Sequence, residues 1–147
     1  AAVIDQDHIL LCKTCNIGPE FYFLPGGHIE HGEGAESAVL RELMEETGFE
    51  CSIKRFLGCL EHSFMPDANN PHICHSHEYN LIFQAECNGL GLHTPLPKLE
   101  EFIEILWYPV IKLEEIDLRP APLKQLITSW LESPDQAYMF YSWLTRV

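Results

Sequence analysis

Positive charge is what this sequence has least of. Nine Lys and Arg stand against 22 Asp and Glu, a formal net charge of −13. Binding along a nucleic-acid backbone relies on Lys and Arg, so a polynucleotide partner is excluded. The same deficit excludes docking on an anionic membrane surface. No apolar run approaches the ~20 residues of a membrane-spanning helix, and no signal peptide is visible, so a cytoplasmic protein is expected. The chain nevertheless starts abruptly in what reads as a strand, as though a few residues preceded it. Internal repeats, linkers and low-complexity runs are also missing, which leaves residues 1–147 as one domain, long enough to bury a core. What is present is ordinary globular material, 46% apolar and 21% charged.

Six cysteines are scattered at Cys12, Cys15, Cys51, Cys59, Cys74 and Cys87. With this much core and no secretion signal, a disulfide framework is not expected, and thiols acting as small apolar residues are. Cys12 and Cys15 could join Cys74 and His77 as four zinc ligands. The long gap between the two pairs weakens that reading.

Residues 1–4 and 8–12 read as short strands around the polar turn Asp5-Gln6-Asp7. Residues 21–24 form an aromatic strand that leads into Leu24-Pro25-Gly26-Gly27, a turn whose glycines permit close backbone approach to a ligand. A helix over 35–47 follows, closed by Gly48 as a left-handed cap. Residues 51–64 continue the sheet, with a break expected at Gly58, and a loop marked by Pro66, Asp67 and Pro71 runs to His75. Residues 77–87 alternate as a strand with Tyr79, Leu81 and Phe83 on one face. Residues 103–107 are a strand, 111–116 a helical turn and 122–131 an amphipathic helix. Tyr138, Phe140, Tyr141 and Trp143 in the tail read as core, or as a homodimer contact. This is an α+β pattern with a mixed sheet between helices, without the regular alternation of a doubly wound fold.

The helix over 35–47 carries the chemistry. Ala35, Val39 and Leu43, with Leu40 and Met44 beside them, give it a buried stripe. Glu42, Glu45 and Glu46, at i, i+3 and i+4, are neighbours on another face. Two unit charges ~4 Å apart at an effective dielectric of 20 interact with about 4 kcal/mol, so this face calls for neutralisation. Arg41 is the one permanent cation between Gly27 and Phe49. Hard divalent cations take oxygen ligands of this kind, although a solvated acidic face is the plain alternative.

The spacing decides between them. Gly27, five residues, Glu33, seven residues, Arg41-Glu42, apolar Leu43, one residue, Glu45-Glu46, one residue, Gly48 and apolar Phe49 resemble a complete Nudix box. Seven such fixed positions would coincide by chance on the order of once in 10⁸ starts. The resemblance implies an α/β/α sandwich with a central mixed β-sheet, and Mg²⁺- or Mn²⁺-dependent hydrolysis of a nucleoside diphosphate linked to another moiety. It also implies that Glu42, Glu45 and Glu46 are metal ligands, joined by the carbonyl of Gly26. Arg41 would orient them, bonded to Glu33 and to Glu45, and Glu42 or Glu46 would take the proton from water.

Outside the box the same resemblance points to further residues. His77-Glu78 opens a strand where many Nudix proteins carry such a pair, and Glu61-His62 ends the strand before it, so Glu61, His77 and Glu78 are candidates for the substrate cleft. A downstream glutamate often assists catalysis in the family. Here Glu100, Glu101 and Glu104 compete, and Glu101, at a loop end, is preferred as a candidate catalytic residue. The small-molecule substrate is expected to be a nucleotide sugar such as ADP-ribose or a nucleoside triphosphate. Pro66, seventeen residues past Phe49, hints at the former, and Phe64 could stack on a base. A non-catalytic module that binds a nucleotide as a sensor is the alternative, disfavoured because every box glutamate is kept.

Overall fold

The computed structural model describes residues 1–16, 18–63, 76–98, 101–132 and 139–143. Its elements are β1 (Ala2–Asp5), β2 (His8–Thr14), β3 (Tyr22–Phe23), α1 (Ala35–Thr47), β4 (Cys51–Ser63), β5 (His77–Cys87), β6 (Ile103–Pro109), a 3₁₀ helix (Val110–Glu115), α2 (Leu123–Glu132) and β7 (Met139–Trp143). The strands join in one mixed sheet, ordered β3-β2-β1-β5-β4-β7, with β6 pairing β2. Parallel pairing joins β1 to β5 and β4 to β7, and the rest is antiparallel.

Alternation along the strands sends side chains to two cores, one on each face of the sheet. On one face Ile9, Leu11, Leu60 and Ile82 pack against α2 through Leu123, Leu126 and Ile127. On the other, Val3, Leu10, Phe83 and Ala85 pack against Val39 and Leu43 of α1. The result is the α+β sandwich expected, a helix layer on either side of a mixed sheet. The buried stripe of α1 differs slightly from the pattern read in sequence. Met44 is exposed, and Thr47 takes its place in the interior, its hydroxyl donating to the Leu43 carbonyl at 2.5 Å. Gly48 closes the helix at φ 75°, its N–H bonded to the Met44 carbonyl, as the cap reading expects.

Three expectations change. β4 runs unbroken through Gly58, where a bulge rather than a strand break absorbs the irregularity: Phe56 pairs with Phe83 and Gly58 with Ile82. The tail adds β7 to the edge of β4, and Tyr141 is exposed rather than in the core. Tyr138 lies outside the described residues. Cys51 and Cys87, opposite one another in the β4–β5 ladder, form a disulfide, where thiols were expected. Sequence spacing cannot reveal a pair that only strand register creates.

Candidate active site

The turn before α1 folds down onto the acidic face of the helix. Pro25 is fully buried, and its carbonyl accepts a bond from the Ala1 nitrogen at 2.5 Å. Gly26 adopts φ 140°, a region closed to most side chains, and its N–H donates to Glu46 Oε2 at 3.0 Å. Gly27 lies so close to the Glu42 carboxylate that a Cβ there would collide with it. From the sheet below, the Cys12 thiol reaches to within 3.8 Å of Glu46 Oε1. Glu46 is thus held by both oxygens. Burial pushes its carboxyl up to about 7, and the nearby Glu42 charge adds to this; the Gly26 N–H opposes it.

Arg41 organises the remainder. Its Nε and Nη2 grip the two oxygens of Glu33 at 3.0 and 3.1 Å, and Nη2 also bonds the His28 carbonyl at 3.1 Å. Its Nη1 donates to Glu42 at 2.8 Å and to Glu45, one helical turn on, at 3.2 Å. These bonds hold the guanidinium firmly protonated and keep the Glu33 carboxyl below the usual range. Glu33 in turn accepts the Glu30 N–H, so the loop between the turn and α1 is stapled to the helix through one side chain.

Among the described residues no three His, Cys, Asp or Glu side chains converge into a ready-made metal shell. The reason is visible in the bonds. The Arg41 guanidinium sits between Glu42 and Glu45, and Glu46 turns toward Gly26. The donors still suit a hard divalent ion, being carboxylates beside backbone oxygens. The half-buried Glu46 carboxyl, raised to about 7 next to Glu42, marks a spot short of positive charge.

A second cluster lies where β4 meets β5. Glu61 is opposite Tyr79, and Ser63 opposite His77. Glu61 Oε1 accepts from the Tyr79 hydroxyl at 2.8 Å and pairs with His77 Nε2 at 3.0 Å. The Ser142 hydroxyl of β7, then the Tyr79 bond, hold its carboxyl below the ordinary carboxylate range. Phe83 on the same strand packs under α1, so by alternation His77, Tyr79 and Glu61 share the face of α1. Glu78 belongs to the opposite face, paired in register with His62. The structure therefore brings Glu61 and His77 together and separates Glu78 from them.

The NUDIX domain profile matches residues 1–133. The chain belongs to the NUDIX family. An ADP-ribose pyrophosphatase of Methanocaldococcus jannaschii is 47% identical over 58 residues, covering 38% of this chain and 34% of that protein. An NAD-capped RNA hydrolase, NudC, of Stutzerimonas stutzeri is 27% identical over 125 residues, 85% of this chain and 40% of that protein. The chain thus spans well under half the length of these curated relatives. A solved NUDIX hydrolase from Nitrosomonas europaea superposes with a TM-score of 0.68 at 20% identity, over 90% of this chain and 85% of that one, a likeness of fold.

Within this NUDIX domain the downstream acids separate by face. Ile105 and Trp107 of β6 pack on the side of α1, so Glu104 projects to the other side, opposite Lys13 and 3.9 Å from the Cys15 thiol. Glu101 is exposed in the bend before β6. Thr14 pairs with Ile103, so register carried outward sets Glu101 about four strand positions, on the order of 13 Å, beyond Cys12 and Glu46. Glu100, Cys74, His72, His75, Phe64 and Pro66 lie outside the described residues, and with Cys74 one member of the disfavoured zinc set. Cys12 is engaged with Glu46 instead. Sequence reasoning missed two residues, Tyr79 and Ser142. Alternation places Tyr79 on the face of Leu81 and Phe83, and only the β4–β5 register shows its hydroxyl on Glu61.

Proposed function

We propose that this NUDIX domain is a metal-dependent pyrophosphohydrolase that cleaves a nucleoside diphosphate linked to another moiety. The observation that carries the reading is the half-buried Glu46 carboxyl beside Glu42, clasped by the Gly26 N–H under the Pro25-Gly26-Gly27 turn. Glu42, Glu45, Glu46 and the Gly26 carbonyl are the groups that would hold Mg²⁺ or Mn²⁺. When bound, the ion neutralises charge on the diphosphate oxygens and makes bound water more acidic.

The chain's own residues do the remaining work. Arg41, braced on Glu33, sets the rotamers of Glu42 and Glu45, which a lysine's single ammonium would do less well. In the reaction a water oxygen attacks one phosphorus, the bridging P–O bond breaks, and the leaving group departs as a phosphate oxyanion. The proton lost by the water goes to a carboxylate, Glu46 or Glu42, with Glu101 as the loop-borne candidate that would have to swing inward. Glu61 and His77 face the same side of the sheet and serve substrate binding. Nucleotide sugars and nucleoside triphosphates are the substrate classes. No helix among the described residues is long and apolar enough to cross a membrane. We place the protein in the cytoplasm.

A phosphate-release screen over nucleotide sugars, nucleoside triphosphates and dinucleoside polyphosphates, with Mg²⁺ or Mn²⁺, tests this. Turnover of one class supports the reading. Nucleotide binding without turnover of any would overturn it in favour of a sensor.

A further inference from the structure

β5 pairs with β4 from His77 to Cys87, but β1 reaches only its Gln84 and Ala85, so among the described elements residues 77–82 run along an open edge. From Phe83 onward its side chains on the α1 face are covered by the helix. Before Phe83 no described helix covers the same face: Leu81 is 41% exposed and Tyr79 60% exposed. His77 continues the strip, its ring 5.1 Å from that of Tyr79 and tilted by 33°. The helix that would cover them has ended. What remains is an open shelf of one apolar and two aromatic side chains on the side of the sheet that carries the acidic box.

A fixed negative charge lies beside this shelf. The Glu61 side chain is only 13% exposed. Three donors from two neighbouring strands, Tyr79, His77 and Ser142, hold its carboxylate in place. A carboxylate offers about four lone-pair sites, so a ligand donor can still be accepted. The His77 bond, at 3.0 Å longer than the Tyr79 bond at 2.8 Å, gives way to a second.

We propose that this shelf is the nucleobase subsite and that Glu61 makes it selective for guanine. The proposal rests on the hydrolase reading above, because it presumes a nucleotide substrate. A flat base stacks on the Tyr79 ring and the Leu81 side chain, an interaction open to any base. Glu61 then discriminates by edge. Guanine presents two adjacent donors, N1–H and the 2-amino group, to one carboxylate. Adenine and cytosine set a ring-nitrogen acceptor beside their amino donor, which the carboxylate repels. Uracil offers one N–H between two carbonyl oxygens, and hypoxanthine keeps N1–H but lacks the amino group. Hydrogen bonds to a charged acceptor are the strong ones, so the missing donor is costly.

Titration calorimetry of the full chain with GMP, IMP, AMP and UMP, in Mg²⁺, tests this without any hydrolysable diphosphate. GMP should bind at least about tenfold more tightly than IMP or AMP. Glu61→Gln should reduce that preference to within about threefold. Tyr79→Leu should weaken all four by about tenfold, and Tyr79→Phe should retain most of the stacking. Thermal melts check that each variant folds, and the GMP-to-IMP ratio of the unmodified protein needs no variant. GMP and AMP binding within twofold of one another, a preference that survives Glu61→Gln, or no binding of any of the four overturns the proposal. Guanine-selective binding by a chain that hydrolyses nothing would sink the hydrolase reading and leave the subsite standing. Hydrolysis indifferent to the base would do the reverse.

Discussion

Replacing Arg41 by glutamine removes the one side chain that ties the box loop to its helix, and the structure sets the size of the loss. Of the five bonds Arg41 makes, the one to Glu45 counts least, because that carboxylate is 59% exposed. The two to Glu33 and the one to Glu42 count most, since those side chains are 17% and 18% exposed. At about 1 kcal/mol each before any discount for exposure, they come to at most ~3 kcal/mol. For a chain of this size that is a fall of up to roughly 6–12 °C in melting temperature. Without Arg41, Glu42 and Glu45 also repel one another uncompensated, and a bound divalent ion relieves that. The deficit measured in EDTA should therefore narrow by about 1 kcal/mol in millimolar Mg²⁺. Urea denaturation of the parent and Arg41→Gln proteins, each with and without Mg²⁺, gives all four numbers. A deficit below about 0.5 kcal/mol, or one that metal leaves unchanged, would refute the bracing role.

Metal-free stability should fall as pH rises from 5 to 8. Glu46 has its folded-state value raised to about 7 by burial, so its contribution is whole below the unfolded value near 4.5 and is lost as pH climbs through 7. The loss is about 2–3 kcal/mol after allowance for partial exposure, and denaturation at the two pH values should show it shrink in Glu46→Gln. Reducing Cys51–Cys87, or replacing both by serine, opens a crosslink spanning 36 residues and should cost about 3–4 kcal/mol, read as a lower melting temperature in dithiothreitol. Glu104→Gln should leave turnover within about threefold, because its strand points it away from the box. Glu101→Gln should lower turnover by at least about tenfold and abolish one limb of the pH profile if that loop supplies the base.

The box was legible because it is local. Helix periodicity, the glycine stop at Gly48 and the spacing of Glu42, Glu45 and Glu46 all lie within one short stretch, and α1 forms over the residues expected. The bonds of Arg41 to Glu33 and Glu45 follow from the same stretch. What escaped depends on strand register, which no local pattern encodes. The Cys51–Cys87 disulfide, the parallel pairing of β7 with β4, and Tyr79 on Glu61 each join residues distant in sequence. The family resemblance groups Glu78 with His77, yet adjacency in a strand sends the two to opposite faces. The exposure of Tyr79 and Leu81 was hidden for another reason: their parity matches Phe83, and only the point where α1 ends shows that the cover stops short.

The central claim is that the box glutamates form a catalytic centre, and the turnover of Glu46→Gln under saturating Mg²⁺ tests it most directly. The change keeps the size of the side chain and its place between Gly26 and Cys12 while removing its charge. Turnover should fall at least ~100-fold, about 2.7 kcal/mol of transition-state stabilisation, with the far-ultraviolet spectrum unchanged. Hydrolysis at the unmodified rate by a folded Glu46→Gln protein would contradict the account.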